Sequence, residues 1–306
     1  MSVSGRTGSS INRVLMTGGG GFLGAWIIHY LLPHGIAVRV FERKEDRRRV
    51  VRIVPEAARD AEWVIGDVSD TDAMIEAVRD CDAIIHLAGL MTPACQVNPL
   101  LGAKVNVIGT LNAFEAAKTQ GLSRVVYTSS GGVYGADDGL PPLPSTHYGA
   151  FKLANEGNAR AYWADDGISS VGFRPFVVYG PGRDAGLTAD ITFACVAAAE
   201  GRPYTIGLSG AIALVYVEDV ALAYVHALMS QKPGAQTVNL TGQLTTVEEV
   251  AEMIRDLARN AEIAVRGAQI PSSSAVPSEW ENCGLDLPVE HTLRQGLEKT
   301  IAFYRS

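Results

Sequence analysis

Basic residues are in short supply: Lys and Arg number 26 against 33 Asp and Glu, giving a net charge of −7. Apart from Arg47-Arg48-Arg49 the cations are scattered, and an acidic chain with dispersed cations excludes nucleic acid or an anionic membrane surface as the main partner. The arginine triplet is expected to form a solvated helix face. Cysteine is scarce as well. Cys81, Cys95, Cys195 and Cys283 lie far apart with no C-x-x-C pair and no metal-ligand spacing, so reduced, mostly buried thiols and no metal are expected. No run approaches the ~18 apolar residues that span a bilayer, and Met1 to Ser10, rich in Ser and Gly, lacks an apolar signal core. These absences point to a cytoplasmic protein with no membrane partner, and residues 1–12 are expected to be a disordered extension.

What the chain does have is apolar residues, 47% of 306, enough to bury a large core as one big domain or a main domain with a smaller one attached. Arg13 to Thr17 reads as a strand, followed by Gly18-Gly19-Gly20-Gly21-Phe22-Leu23-Gly24 and a helix to Leu32 that Pro33 and Gly35 end. Four glycines at a strand-to-helix junction cost backbone entropy, so something uses the freedom they give. In the frame Gly18-x-x-Gly21-x-x-Gly24 the first glycine makes the turn, the second lets a phosphate approach the backbone and the third lets helix pack on strand. A dinucleotide pyrophosphate is the expected occupant.

Further strands are expected at Ala37 to Phe41, Glu62 to Ile65 and Ala83 to Leu87, with Asp70 or Thr71 capping an intervening helix through Val78. Apolar strands without alternation, separated by glycine turns and helices, are the pattern of a parallel sheet covered on both faces. Glu42, about 20 residues after the glycine loop, can accept from the adenosine ribose hydroxyls and favours NAD. Arg43 beside it can hold a 2′-phosphate, which keeps NADP open. Asp67 is placed to contact the adenine, and Ala88-Gly89 to let the cofactor lie close. A helix from about Leu100 to Lys118 would carry Asn106, a poor helix former.

Val125-Val126-Tyr127 is a buried-strand run that stops at Thr128-Ser129-Ser130-Gly131-Gly132, at the end of a sheet strand where open α/β folds bind ligands. Tyr148 and Lys152, four apart at the start of a helix-forming segment to Ala164, project from one face. A cation beside a phenol favours the phenolate and lowers a pKa that starts near ~10, so Tyr148 can act as acid or base. His147 beside it is either a second acid or a helix-start residue turned away. Farther on, Leu187 to Glu200 reads as a helix and Pro203 to Ile206 as a strand. Thr237 to Leu240 reads as a strand returning to the main sheet, and Thr245 or Thr246 as the cap of a helix to about Arg259.

In sum the chain resembles the extended short-chain dehydrogenase/reductase family, the NAD-dependent epimerase/dehydratase group. The matching residues are Thr17 to Gly24, Gly66-Asp67-Val68, His86-Leu87-Ala88-Gly89, Asn106 to Thr110, Ser129-Ser130 before Val133-Tyr134-Gly135, and Tyr148-x-x-x-Lys152. Arg174-Pro175, Val178 to Gly182 and Tyr216 to Ala221 complete the set. The resemblance implies a Rossmann-type doubly wound parallel sheet in residues 13–181 and a smaller substrate-binding portion in 182–306, of which about 213–240 returns to the main domain. It implies that Ser130 hydrogen-bonds the substrate oxygen, Tyr148 transfers the proton, and Lys152 binds the nicotinamide ribose and depresses the tyrosine pKa. The cofactor would be lined by Gly18, Gly21, Phe22, Leu23, Gly24, Glu42, Arg43, Asp67, Val68, Leu87, Ala88, Gly89 and Asn106, together with Tyr148 and Lys152. A homodimer through the Leu100 and Tyr148 helices is implied too.

Departures from the family bear on the substrate. Its dehydratases carry Thr-Asp-Glu where this chain has Thr128-Ser129-Ser130, so dehydration is not expected. Its nucleotide-sugar enzymes carry an Arg before the Tyr-Val-x-Asp-Val motif to grip the diphosphate, and Ile212 stands there, inside an uncharged loop-like run. Arg183 either holds a substrate carboxylate, as an arginine of this region does in the family's uronate-oxidising members, or pairs with Asp184 or Asp190. Arg174 reads as a structural tie. The expected activity is hydride transfer between NAD(P) and a hydroxyl-bearing carbon of a sugar, sugar acid or small polyol. A nucleotide-sugar 4-epimerase with retained NAD and a catalytically silent NAD-binding regulator are the alternatives.

Overall fold

The computed structural model describes residues 11–135, 141–186, 188–259, 261–269 and 291–305, with 276, 279, 283–285 and 287. The extension expected at 1–12 lies outside them except for Ile11 and Asn12, as does Leu187, the expected first residue of a helix. The strands are β1 (Arg13–Thr17), β2 (Ala37–Glu42), β3 (Glu62–Ile65), β4 (Ala83–His86), β5 (Arg124–Thr128) and β6 (Ser169–Pro175). They continue as β7 (Val177–Tyr179), β8 (Tyr204–Ser209), β9 (Ala211–Tyr216), β10 (Ala235–Leu240), β11 (Gln243–Thr246) and β12 (Ile263–Gln269).

A seven-stranded sheet runs in the order β10-β6-β5-β4-β1-β2-β3 with every neighbouring pair parallel. The chain moves outward from β1 through β2 and β3, then restarts on the other side of β1 with β4. That reversal opens a crevice at the carboxyl ends of β1 and β4. Consecutive side chains leave opposite faces of a strand, which explains the unbroken apolar runs. Val14, Met16, Ile85 and Val126 join one core cluster, and Leu15, Ile84, Val125 and Tyr127 the other.

Helices cover both faces. They are α1 (Phe22–Leu31), α2 (Arg48–Ile53), α3 (Ala57–Asp60), α4 (Thr71–Ala77), α5 (Thr92–Val97), α6 (Pro99–Ala103) and α7 (Gly109–Thr119). After them come α8 (His147–Asp166), α9 (Asp190–Ala199), α10 (Val217–Met229), α11 (Val247–Leu257) and α12 (Leu293–Arg305). Helices α1 and α10 pack together over one face, and α4, α7 and α8 over the other. Local signals set their ends: Asp70 caps α4 through Ala73 N–H, Thr146 caps α8 through Gly149 N–H, and Gly167 at φ +68° closes α8. At α11 it is Thr246 that makes the reciprocal capping box with Glu249.

The helix expected from Leu100 to Lys118 is found as one helical run from Pro99 to Thr119 with a π turn inside it. Asn98 and Pro99 start the short α6, and Lys104–Ile108 forms a π-helical turn before α7 begins. The extra residue of a π turn rotates Asn106 into the interior, where it is 1% exposed. Strands β7, β9 and β11 form a small sheet, and β8 and β12 a two-stranded one. The uncharged run read as a loop around Ile212 is therefore strand β9, with Ile212 opposite Thr245 and 1% exposed in the core.

Candidate active site

At the carboxyl end of β1 the chain turns back through Gly18, whose φ of +75° disfavours any side chain. A Cβ there would stand 2.8 Å from Ala88 N, and one on Gly24 2.6 Å from Gly19 Cα. The first and third glycines thus serve close backbone approach. Gly21 is the N-cap of α1, and no side chain caps that helix, so its amino-terminal dipole faces the crevice. This cradle fits a pyrophosphate. Glu42 accepts from Gly20 N–H at 3.1 Å, and burial pushes its carboxyl above the usual range in spite of that bond. Arg43 beside it is exposed.

Asp67 accepts from Ser69 N–H and Oγ–H at 2.9 and 2.8 Å, and the backbone bond is the main reason its carboxyl is held low. Val68 points inward: it packs on Gly109, and its carbonyl accepts from Asn112 Nδ2 at 2.8 Å. Phe22 and Leu23 are partly buried at the head of α1, and Leu87 and Ala88 at the β4 end. Leu87 N–H donates to Thr17 O, and Gly89 is open to solvent. Asn106 lies against Gly89, with its side chain hydrogen-bonded to the turn that follows. Its Oδ1 accepts from Leu90 N–H at 2.9 Å, and its Nδ2 donates to Leu90 O at 3.0 Å and Cys95 Sγ at 3.1 Å. With both groups engaged, Asn106 fixes the Gly89-Leu90 turn.

His86, to which the sequence reading gave no separate role, ties the strand ends together. Its Nδ1 lies 2.8 Å from Thr17 Oγ1 and its Nε2 3.2 Å from Thr110 Oγ1. Thr110 donates its only hydroxyl proton to Asn106 O at 2.8 Å and accepts from Asn155 Nδ2 at 3.0 Å, so it must also accept from His86 Nε2–H. Thr17 then donates to Nδ1 and accepts from Ala88 N–H at 3.3 Å. Burial, and next the nearby Lys152, push the His86 pKa down to about 3, which keeps the ring neutral as this tautomer requires.

Across the crevice stand Ser130, Tyr148 and Lys152. Ser130 follows β5 in extended conformation, and its Oγ accepts from Gly132 N–H at 3.0 Å. Tyr148 is the second residue of α8. Burial is the main influence on it and pushes the phenol up; the Ser130 hydrogen bond and the Arg183 charge pull it down. Lys152, one turn on, is 3% exposed, donates to Thr128 O at 2.6 Å and lies 5.6 Å from the Tyr148 ring centre. Burial lowers its pKa to about 8. His147 is turned away, exposed and stacked near Phe151.

Arg183 projects into the same space. Its guanidinium sits 5.7 Å from the Phe22 ring centre and donates through Nη2 to Thr188 Oγ1 at 3.0 Å. Its Nε is buried without a hydrogen-bond partner among the described residues. The alternative pairings are occupied: Asp184 binds Arg49, and Asp190 accepts from Tyr204 OH and Gly207 N–H. Arg49 thus departs from the expected solvated face. Arg174 is a structural tie, as expected, holding Glu156 with two bonds of 2.8 and 2.6 Å.

This arrangement has known counterparts. The chain is 30% identical to a UDP-glucose 4-epimerase of Azospirillum brasilense over 291 residues, 86% of this chain and 80% of that protein. It is 30% identical to a uronate dehydrogenase of Pseudomonas syringae pv. tomato over 175 residues, 55% of this chain and 60% of that one. The structure of Thermus thermophilus UDP-glucose 4-epimerase in complex with NAD superposes with a TM-score of 0.81 at 27% identity, covering 96% of this chain and 99% of that chain. Among the described residues no helix is long and apolar enough to cross a membrane. The model of the NAD dependent epimerase/dehydratase family matches residues 14–241, and with the seven-stranded parallel sheet and its glycine cradle this makes the protein an NAD-dependent enzyme of that family, within the extended short-chain dehydrogenases/reductases.

Proposed function

We propose that the protein oxidises or reduces a hydroxyl-bearing carbon of a small sugar acid or related polyol, with Ser130, Tyr148 and Lys152 as its working groups. The observation that carries this is the buried ammonium of Lys152 set beside the Tyr148 ring and next to Gly89 at the β4 end. Gly18, Gly21 and Gly24 would hold the pyrophosphate, Glu42 the adenosine ribose and Lys152 the nicotinamide ribose. Bound NAD supplies the acceptor for the hydride that leaves the carbinol carbon. Tyr148 as phenolate takes the hydroxyl proton while the C–O bond becomes a carbonyl, and Ser130 donates to that oxygen. Against the burial that holds the phenol up, the Ser130 hydrogen bond and the Arg183 charge are the influences that favour the phenolate.

Two observations support a carboxylated substrate without a nucleotide. Arg183 has an Nε without a hydrogen-bond partner among the described residues and a charge that acts on Tyr148, and a guanidinium fork suits a carboxylate. Ile212 is core, so no cation for a diphosphate stands on β9. The second reading, a nucleotide-sugar 4-epimerase with retained NAD, is favoured by the relatives at 30% identity. Incubation with NAD and a panel of aldoses, uronates, aldonates and UDP-sugars separates the two. Stoichiometric NADH with a free sugar acid is the expected result; isomerised UDP-sugar without net NADH would sink it.

We also read the molecule as a homodimer in the cytoplasm. Val97 and Leu100, 87% and 84% exposed, with Met91, Leu101 and Ile108, make an apolar face on α5, α6 and the π turn beside α8. A second copy of that face is the natural cover. Cys81, Cys95 and Cys195 are buried thiols outside any disulfide, which suits a reducing compartment.

A further inference from the structure

Helix α8 does more than present Tyr148 and Lys152. Its buried face touches the β5 end and the turn after it at three places, each through a different chemistry. Gly149 admits the Gly132 carbonyl, which any Cβ would strike. Lys152 donates to Thr128 O at 2.6 Å. One turn later, Glu156 accepts the Ser129 hydroxyl at 2.5 Å. Ser129 is the residue before Ser130.

The Glu156 contact is held with unusual completeness for a carboxylate that is 1% exposed. Besides Ser129 it takes Arg174 Nε at 2.8 Å and Nη2 at 2.6 Å, so both oxygens are satisfied and the charge is paired. Arg174 is itself fixed from the other side: Nη1 donates to Tyr134 OH at 2.5 Å, and Tyr134 OH donates to Asn239 Oδ1 at 3.0 Å. The Ser129 backbone is anchored too, its N–H donating to Phe173 O at 2.6 Å.

We propose that Glu156 is a positioning residue that sets Ser130 against Tyr148, acting through the Ser129 hydroxyl with Arg174 as its anchor. This rests on the assignment of Ser130 and Tyr148 as the proton-handling pair. Without the Ser129 bond, α8 and the Ser130 turn lose one of their three points of registration, and the hydrogen bond between Ser130 and Tyr148 lengthens or breaks. The Glu156–Arg174 pair stays intact when Ser129 alone is changed, so the fold keeps its buried charges matched.

The test is the titration of Tyr148 in the full-length protein, isolated as the ultraviolet difference spectrum of each protein minus its Tyr148→Phe counterpart. Ser129→Ala is expected to move the Tyr148 midpoint upward by about half a pH unit or more, because a hydrogen bond that favours the phenolate is lost. NADH affinity, read by fluorescence, should stay within about twofold, since the cradle lies on the other side of the crevice. Ser129→Thr, which keeps the hydroxyl, should restore the midpoint. An unmoved midpoint in Ser129→Ala, or a shift that Ser129→Thr shares, overturns the proposal. If Ser129→Ala does not fold, Ser129→Cys, a weak donor of similar size, is read in the same way. Failure here is distinct from failure of the assignment, which shows as turnover surviving in Tyr148→Phe.

Discussion

Arg49 on α2 grips Asp184 with both arms, Nε to Oδ2 at 3.0 Å and Nη2 to Oδ1 at 2.6 Å. The pair is partly exposed and adds little to stability on its own. Its consequence is local: Asp184 is taken by a helix of the main sheet's layer, and its neighbour Arg183 acts on Tyr148 through its charge, with no hydrogen-bond partner for its Nε among the described residues. Arg183→Ala is therefore expected to raise KM for a carboxylated substrate about tenfold or more, the loss of a hydrogen bond to a charged group. Arg183→Lys should fall between, having charge without the fork. Initial rates against uronate concentration check this, and an unchanged KM in both variants would remove Arg183 from the substrate site.

The glycine loop gives a graded prediction. Gly18→Ala meets both a positive φ and Ala88 N at 2.8 Å, so it should lose NADH binding and lower the melting temperature. Gly21→Ala has a φ of −75° and meets only Gly18 O at 3.0 Å, so the fold should survive while NADH affinity falls. Fluorescence titration and thermal melts of the two variants decide it. Equal melting temperatures with equal binding losses would mean that the Ala88 approach matters less than the geometry implies.

The strands and the cradle were legible because their signals are local: β1 to β5 follow runs of apolar residues ended by glycine or polar turns, each found within one residue of its expected bounds. The Tyr148 and Lys152 spacing was legible for the same reason. What escaped was long-range. Asn106 reads as a poor helix former, and only the π turn shows it facing inward onto Leu90 and Cys95. His86 is one histidine among six until β1 and β4 pair and set it beside Thr17. Arg49 belongs to a triplet that composition assigns to solvent, and its partner Asp184 lies 135 residues away. Ile212 was visible as an absence of charge, but its burial in β9 follows from pairing with Thr245, which no spacing announces.

The apolar face on α5 and α6 predicts self-association. Burying Val97 and Leu100 removes apolar surface worth about 1.5–3 kcal/mol for each side chain, per protomer. The double variant Val97→Glu with Leu100→Glu should elute as a monomer and keep its melting profile at low concentration, because both residues are exposed within the protomer. Light scattering across a dilution series checks it. A wild-type protein that is monomeric at every concentration contradicts the dimer.

Lys152 makes the least intuitive prediction. Burial lowers its pKa from 10.5 to about 8, which corresponds to about 3 kcal/mol of unfavourable burial while it is charged. Against that stands one charge-assisted bond to Thr128 O, worth about 1.5–3 kcal/mol. The two nearly cancel, so Lys152→Met should abolish turnover yet leave stability at pH 7 unchanged or about 1 kcal/mol higher, unlike most changes of a buried residue. The pH dependence fixes the sign. Between about 8 and 10.5 the unfolded chain still holds the lysine proton that the folded protein has released, so wild-type stability gains from this group as pH rises through that window. Below pH 8 both states are protonated and the burial penalty is fully felt. Thermal melts of wild type and Lys152→Met at pH 7 and pH 10 should therefore show the wild type gaining on the variant at the higher pH. A difference that stays constant, or moves the other way, would mean that the ammonium is not destabilised by its burial.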